Sequence, residues 1–128
     1  VKSCFERTTP GARNVVIKIP VPKNTARTDI LECMQGKAKF EPTKAAILWR
    51  IKKFPGATEY RLRVDAELAS TVAEKEWNRP PIEMDFQVDM WAASQLQVRT
   101  LKIQEKSNYT AAKWIRYITQ AGSYQHRI

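Results

Sequence analysis

The sequence predicts an all-β antiparallel sandwich, and three observations carry that expectation. Apolar residues recur at every second position in two long runs. Proline and glycine punctuate the intervals between runs. The stretches with helical character are short, one stopped and the other bracketed by proline.

The alternation is clearest in YRLRVDAEL, where Tyr60, Leu62, Val64, Ala66 and Leu68 share one face and Arg61, Arg63, Asp65 and Glu67 the other. IEMDFQVDM repeats it, with Ile82, Met84, Phe86 and Val88 inward and Glu83, Asp85, Gln87 and Asp89 outward. Successive side chains of a strand point to opposite faces, so this period marks half-buried strands with one wet face. Val15 to Ile19 and Leu96 to Ile103 are further strand candidates, rich in β-branched residues. Pro20 and Pro22 close the first of these, because proline has no N–H to give a ladder. Turns are expected at Gly11 after TTP, at Gly56 after FP, and at Arg79 to Pro81.

Two segments carry helical signals. STVAEKEWNR has Thr71 with Glu74 three residues on, a capping-box spacing, and Pro80 limits it to a turn or two. TKAAILWRIKKF would make a short basic amphipathic helix of the kind that lies on a membrane surface or in a partner groove. As a strand it places Ile47, Trp49 and Ile51 inward and Arg50 and Lys52 outward, and the flanking Pro42 and Pro55 favour that reading.

The chain has 128 residues, the length of one ordinary domain and enough to bury a core without staples. Hydrophobic residues make up 43% and charged residues 27%, a globular balance. No apolar run approaches the ~18 residues of a membrane span, and no signal-peptide pattern opens the chain. The opening VKSCFERTTPG reads like the end of a strand and suggests a piece of something longer. A net charge of +9 favours an acidic partner: nucleic acid, an anionic membrane or an acidic protein. The alternative is a basic face that serves only solubility.

Cys4 and Cys33 make no metal-binding spacing, and the only histidine is His126, so a structural zinc site lacks ligands. Two reduced, buried thiols are the simpler expectation. No nucleophile elbow, metalloprotease motif or glycine-rich phosphate loop is present. The carboxylate pairs Asp65/Glu67 and Glu83/Asp85 alternate with core positions and belong to wet faces. No enzyme activity, cofactor or metal is expected.

The basic residues are more informative. GKAKF sets Lys37 and Lys39 on one face of a strand, and Arg50 and Lys52 do the same on another, with Lys53 following. If those strands are neighbours, four cations form one patch able to neutralise clustered phosphates. Nucleic acid would call for interleaved aromatics on which bases stack. Alternation sends Phe40 and Trp49 to the buried face instead, so nucleic acid is not expected.

AKWIRYI raises a different question. In extended form Trp114, Arg116 and Ile118 point one way and Lys113, Ile115 and Tyr117 the other. An arginine between a tryptophan and an isoleucine is foreign to a core face.

Read together, VVIKIPVPKNT, GKAKFEP, ILWRIKKFPG, RPPIEMDFQV, LQVRTLKIQEKSNY and KWIRYITQAGSYQHR resemble, in this order, the C-terminal domain of the medium (mu) subunit of clathrin adaptor complexes. The resemblance runs from about Val15 to Arg127. GKAKF and RPPIEMDF lean toward the plasma-membrane adaptor, while FPGATEY and YITQAGSY fit the trans-Golgi and endosomal type equally well.

The resemblance implies an elongated all-β mu homology domain of two sandwich subdomains, one inserted in the other. Residues 1–91 would be most of the inserted subdomain, and residues 92–128 the returning C-terminal strands of the outer, signal-binding one. It implies recognition of Tyr-x-x-Φ sorting signals, Φ being bulky and apolar, in cytosolic tails of membrane cargo. The peptide would add to a strand edge, main-chain bonds giving affinity and alternate side chains specificity.

By the same resemblance Trp114 and Arg116 hold the signal's tyrosine ring, a flat aromatic against a guanidinium plane. Lys113 and Ile115 offer backbone to the peptide, and Val98 and Leu101 line the Φ pocket beside Ile115. Strands expected upstream of Val1 would supply an aromatic and an acid to the tyrosine pocket. In the plasma-membrane type, cations at the positions of Lys37, Lys39, Arg50 and Lys52 bind phosphoinositide headgroups. Glu41 stands where that type carries a further lysine. Implied partners are cargo peptides, the large and small adaptor subunits, an anionic phosphoinositide membrane and, indirectly, clathrin. The implied location is cytosolic and peripheral, on clathrin-coated pits or vesicles at the plasma membrane or at the trans-Golgi and endosomes.

Overall fold

The computed structural model describes residues 1–5, 11–69, 77–104, 106 and 109–128. Among these residues seven strands run in chain order: β1 (Ala12–Pro20), β2 (Thr25–Cys33), β3 (Lys37–Glu41), β4 (Ala46–Phe54), β5 (Leu62–Leu68), β6 (Ile82–Asp89) and β7 (Ile118–His126). A 3-10 turn, Pro42–Lys44, joins β3 to β4. A five-stranded sheet has the order β3-β4-β1-β6-β7, and β2 pairs with β5 in a second sheet. Every pairing is antiparallel. The all-β antiparallel expectation therefore holds.

The core lies on one face of the larger sheet. Val15, Trp49 and Ile51 are its largest fully buried side chains, joined by Ala12, Ile17, Phe54 and Val88. Trp49 is 2% exposed, and its indole N–H donates to the Gln35 carbonyl at 2.7 Å. Burying an indole removes a large apolar area from water, and the one polar atom needs this partner. Phe54 stacks on Tyr60 at 5.1 Å between centroids, and Cys33, Tyr60 and Leu62 bring the second sheet against the core.

The segment open to two readings is a strand. Ile47, Trp49 and Ile51 are buried while Arg50 and Lys52 are exposed, as alternation required. Ala46 and Leu48 are buried as well, because β4 is an interior strand with neighbours on both sides. β1 is longer than expected and carries a bulge at Asn14, whose φ is 52°, where the register against β6 shifts.

Four expectations need correction. Leu96 to Ile103 pairs with no strand among the described residues, and Leu96, Val98, Leu101 and Ile103 are 74%, 50%, 43% and 45% exposed. β-branched composition suits a pleated surface but does not supply a neighbour. The ladder near AKWIRYI begins only at Ile118, so residues 113–117 lie before it. In β5 the inward face is covered only near its start: Ala66 is exposed and Leu68 is 49% exposed, because β5 runs beyond the core that Leu62 touches. Cys4 is exposed rather than buried, and both thiols are free.

Two strands were not marked by alternation. β2 (TARTDILEC) does not alternate and buries no residue fully. β7 (ITQAGSYQH) is polar and mostly exposed, an edge strand held by β6. The capping-box segment, with Thr71 and Glu74, lies outside the described residues. The expected division near residue 91 falls just after β6, while β7 hydrogen-bonds to β6.

Candidate functional site

Two surfaces collect the residues singled out in the sequence. The first is the outer face of β3 and β4. Their register sets Lys37 opposite Arg50 and Lys39 opposite Leu48, so Lys37, Lys39, Arg50 and Lys52 project from one face. All four are exposed, and Ala38, Phe40, Trp49 and Ile51 turn the other way. The same face continues into β1 through Val16, opposite Arg50, and Lys18, opposite Leu48. Leu48 is 7% exposed on this basic face. The aliphatic stems of long cationic side chains shield such apolar floor while their heads stay in water.

A groove of about 710 Å³ runs here, with Asn14, Val16, Leu48 and the four cations in its walls. The ion pairs among the described residues join Arg13 and Arg116 to Asp89, Lys18 to Glu83, and Arg27 to Asp29. None of them uses the four cations. Gly36 makes the turn into it with φ +84°, and a Cβ there would lie 2.2 Å from the Arg50 carbonyl oxygen. Glu41 ends β3 opposite Ala46, at the far end from Lys37.

The second surface is the strip leading into β7. Burial alternates along it: Trp114, Arg116 and Ile118 are exposed, whereas Ile115, Tyr117 and Thr119 are half-buried. The facing read from the sequence is therefore present although the ladder starts later. Trp114 is 77% exposed and Lys113 is exposed.

Hydrogen bonds tie this strip to residues 89–98. The Met90 N–H donates to the Tyr117 carbonyl at 2.7 Å. The Val98 N–H donates to Tyr117 Oη at 2.8 Å. Thr119 Oγ1 donates to the Trp91 carbonyl at 2.7 Å and accepts from the Ala93 N–H at 3.1 Å. The structure thus brings Val98 to the strip that bears Ile115, while Leu101 stands 43% exposed on the following segment.

Asp89 departs from its expected role. It was assigned to a wet face, yet its side chain is only 17% exposed and sits between Arg13 and Arg116. Neither Asp89 nor Tyr117 stood out in the sequence. Asp89 looks like one more outward carboxylate, and its partner Arg13 is brought alongside only by the pairing of β1 with β6.

The model of the adaptor complexes medium subunit family matches residues 1–128, the whole chain. The chain belongs to that family. It is 54% identical over 130 residues to the AP-2 complex subunit mu of Dictyostelium discoideum, covering 100% of this chain and 29% of that protein. It is 43% identical over 127 residues to the AP-1 complex subunit mu-1-I of Caenorhabditis elegans, covering 99% of this chain and 30% of that protein. Against the AP-1 complex subunit mu-2 of Homo sapiens it is 42% identical over 116 residues, 91% of this chain and 27% of the relative. This member of the family thus spans less than a third of the length of these curated relatives.

Proposed function

We propose that the chain is part of the cargo-recognition module, the C-terminal mu homology domain, of a clathrin adaptor medium subunit that binds Tyr-x-x-Φ signals in vesicle-mediated transport. The observation that carries this reading is the strip of Trp114 and Arg116, exposed on one side, with Val98 fastened alongside through Tyr117. An aromatic and a planar cation on one exposed face suit a tyrosine ring, and apolar Val98, Leu101 and Ile115 suit a bulky Φ residue. Lys113 and Ile115 offer backbone to an extended peptide. Residues of the parent subunit outside this chain supply the other wall of the tyrosine pocket. The large and small adaptor subunits are its partners in the complex, with clathrin indirectly. On this reading residues 1–91 are most of the inserted subdomain and residues 92–128 the returning C-terminal strands of the outer one.

The deciding measurement is calorimetry with a Tyr-x-x-Φ peptide and the complete domain. Binding is expected, and Trp114→Ala is expected to abolish it. Unchanged affinity in that variant sinks the pocket assignment.

A second reading is supported by a separate observation, the register that gathers Lys37, Lys39, Arg50 and Lys52 around one groove without an acidic partner among the described residues. We infer that this patch holds phosphoinositide headgroups at a membrane surface. Sedimentation with vesicles containing bisphosphorylated inositide lipid tests it. Reversing all four charges should remove binding, and retained binding excludes the patch.

A further inference from the structure

Asp89 is the last residue of β6 and lies opposite Ile118, the first residue of β7. Its carboxylate serves three side chains. One oxygen pairs with Arg13 Nη2 on β1. The other accepts from Gln87 Nε2 at 2.9 Å and faces Arg116 Nη2 at 3.5 Å. Asp89 is 17% exposed, whereas the side chains of Arg13 and Arg116 are 45% and 50% exposed. A largely covered carboxylate between two arginines thus links the core sheet to the strip that carries Trp114.

The contact is made at the edge of the Arg116 guanidinium, through one terminal nitrogen. An edge contact consumes in-plane donors and leaves the flat face free. A ring stacks on that face, so the same arginine can hold Asp89 and an aromatic together. Arginine otherwise carries much rotamer freedom, and any part of it lost on binding weakens affinity. Arg13 and Gln87 hold the carboxylate, which reaches the Arg116 guanidinium through a 3.5 Å contact.

We propose that Asp89 is a positioning residue that pre-sets Arg116 to receive the tyrosine ring of the signal. The inference rests on the cargo reading and adds to it a determinant within the sandwich. Asp89 itself does not touch the peptide. It holds the guanidinium plane before the peptide arrives, and Arg13 anchors that hold to β1.

The test is a double-mutant cycle in the protein at its natural length, with a Tyr-x-x-Φ peptide followed by calorimetry. Asp89→Asn, which keeps the size and removes the charge, should weaken binding about fivefold, the scale of one side chain left to be ordered. Arg116→Lys should weaken it about tenfold. The double variant should fall no further than Arg116→Lys by more than about twofold, because both changes remove the same arrangement. Losses that multiply to roughly fiftyfold would show that Asp89 acts elsewhere and overturn the proposal.

Asp89→Glu, which keeps the charge, should bind within about twofold of the unmodified chain. NMR of the Arg116 Nε–Hε group gives a readout free of peptide and of variants. A sharp, slowly exchanging signal in the unliganded protein supports the hold, and an averaged signal overturns it. Should the unmodified protein bind no Tyr-x-x-Φ peptide, the cargo reading fails, and this inference with it. An intact peptide affinity with a multiplicative cycle defeats the Asp89 proposal alone.

Discussion

Arg116 and Trp114 were legible from residue order alone, because alternation within AKWIRYI put them on one face and the structure exposes both. Asp89 was not, since nothing in the local pattern separates a solvated carboxylate from one that two arginines approach from different elements. Gly36 is a residue whose consequence follows directly from its backbone. Its φ of +84° lies in the left-handed region, and an added Cβ would meet the Arg50 carbonyl oxygen at 2.2 Å. Gly36→Ala should therefore destabilise the chain by at least about 1 kcal/mol, through φ strain and displacement of β3 from β4. The check is a urea titration, in which the midpoint falls with an unchanged slope. An unchanged midpoint would mean that the turn relaxes freely. Vesicle binding should weaken as well, because Lys37 is the next residue and leaves its place opposite Arg50.

Secondary structure was readable where a strand has one wet face or a strong apolar face, as in β4, β5 and β6. It failed where polar edge strands lack alternation, as in β2 and β7, because tertiary pairing rather than side-chain pattern makes those strands. The segment Leu96 to Ile103 failed in the opposite sense. It has the composition of a strand, but its apolar residues are 43% to 74% exposed and no ladder among the described residues receives its backbone. Amide hydrogen exchange separates these cases. Interior amides of β4 should exchange only through opening of the sandwich, whereas amides of residues 99–103 should exchange close to the rate of an unstructured chain. The Val98 amide, which donates to Tyr117 Oη, should be slower than its neighbours and lose that protection in Tyr117→Phe. Protection of residues 99–103 equal to that of β4 would refute the assignment.

At the scale of the whole molecule, the two proposed kinds of recognition rest on different physics. The net charge is +9, and the four cations on β3 and β4 stand outside the ion pairs formed among the described residues. An anionic surface is then felt by the whole field of the molecule and by the patch in particular, at roughly 1 kcal/mol per cation near the membrane. That attraction is screened over a Debye length of about 10 Å at 0.1 M salt and about 3 Å at 1 M. The proposed peptide recognition through Trp114, Val98, Leu101 and Ile115 would bury apolar surface and add main-chain bonds, which salt screens little. Raising salt from 0.1 M to about 0.5 M should therefore release the protein from vesicles bearing bisphosphorylated inositide lipid, while the affinity of the complete domain for a Tyr-x-x-Φ peptide should change by less than about threefold. Vesicle sedimentation and calorimetry in matched buffers measure the two arms. Equal salt sensitivity in both would mean that the peptide, too, is held mainly by charge, and that Trp114 is not the centre of its site.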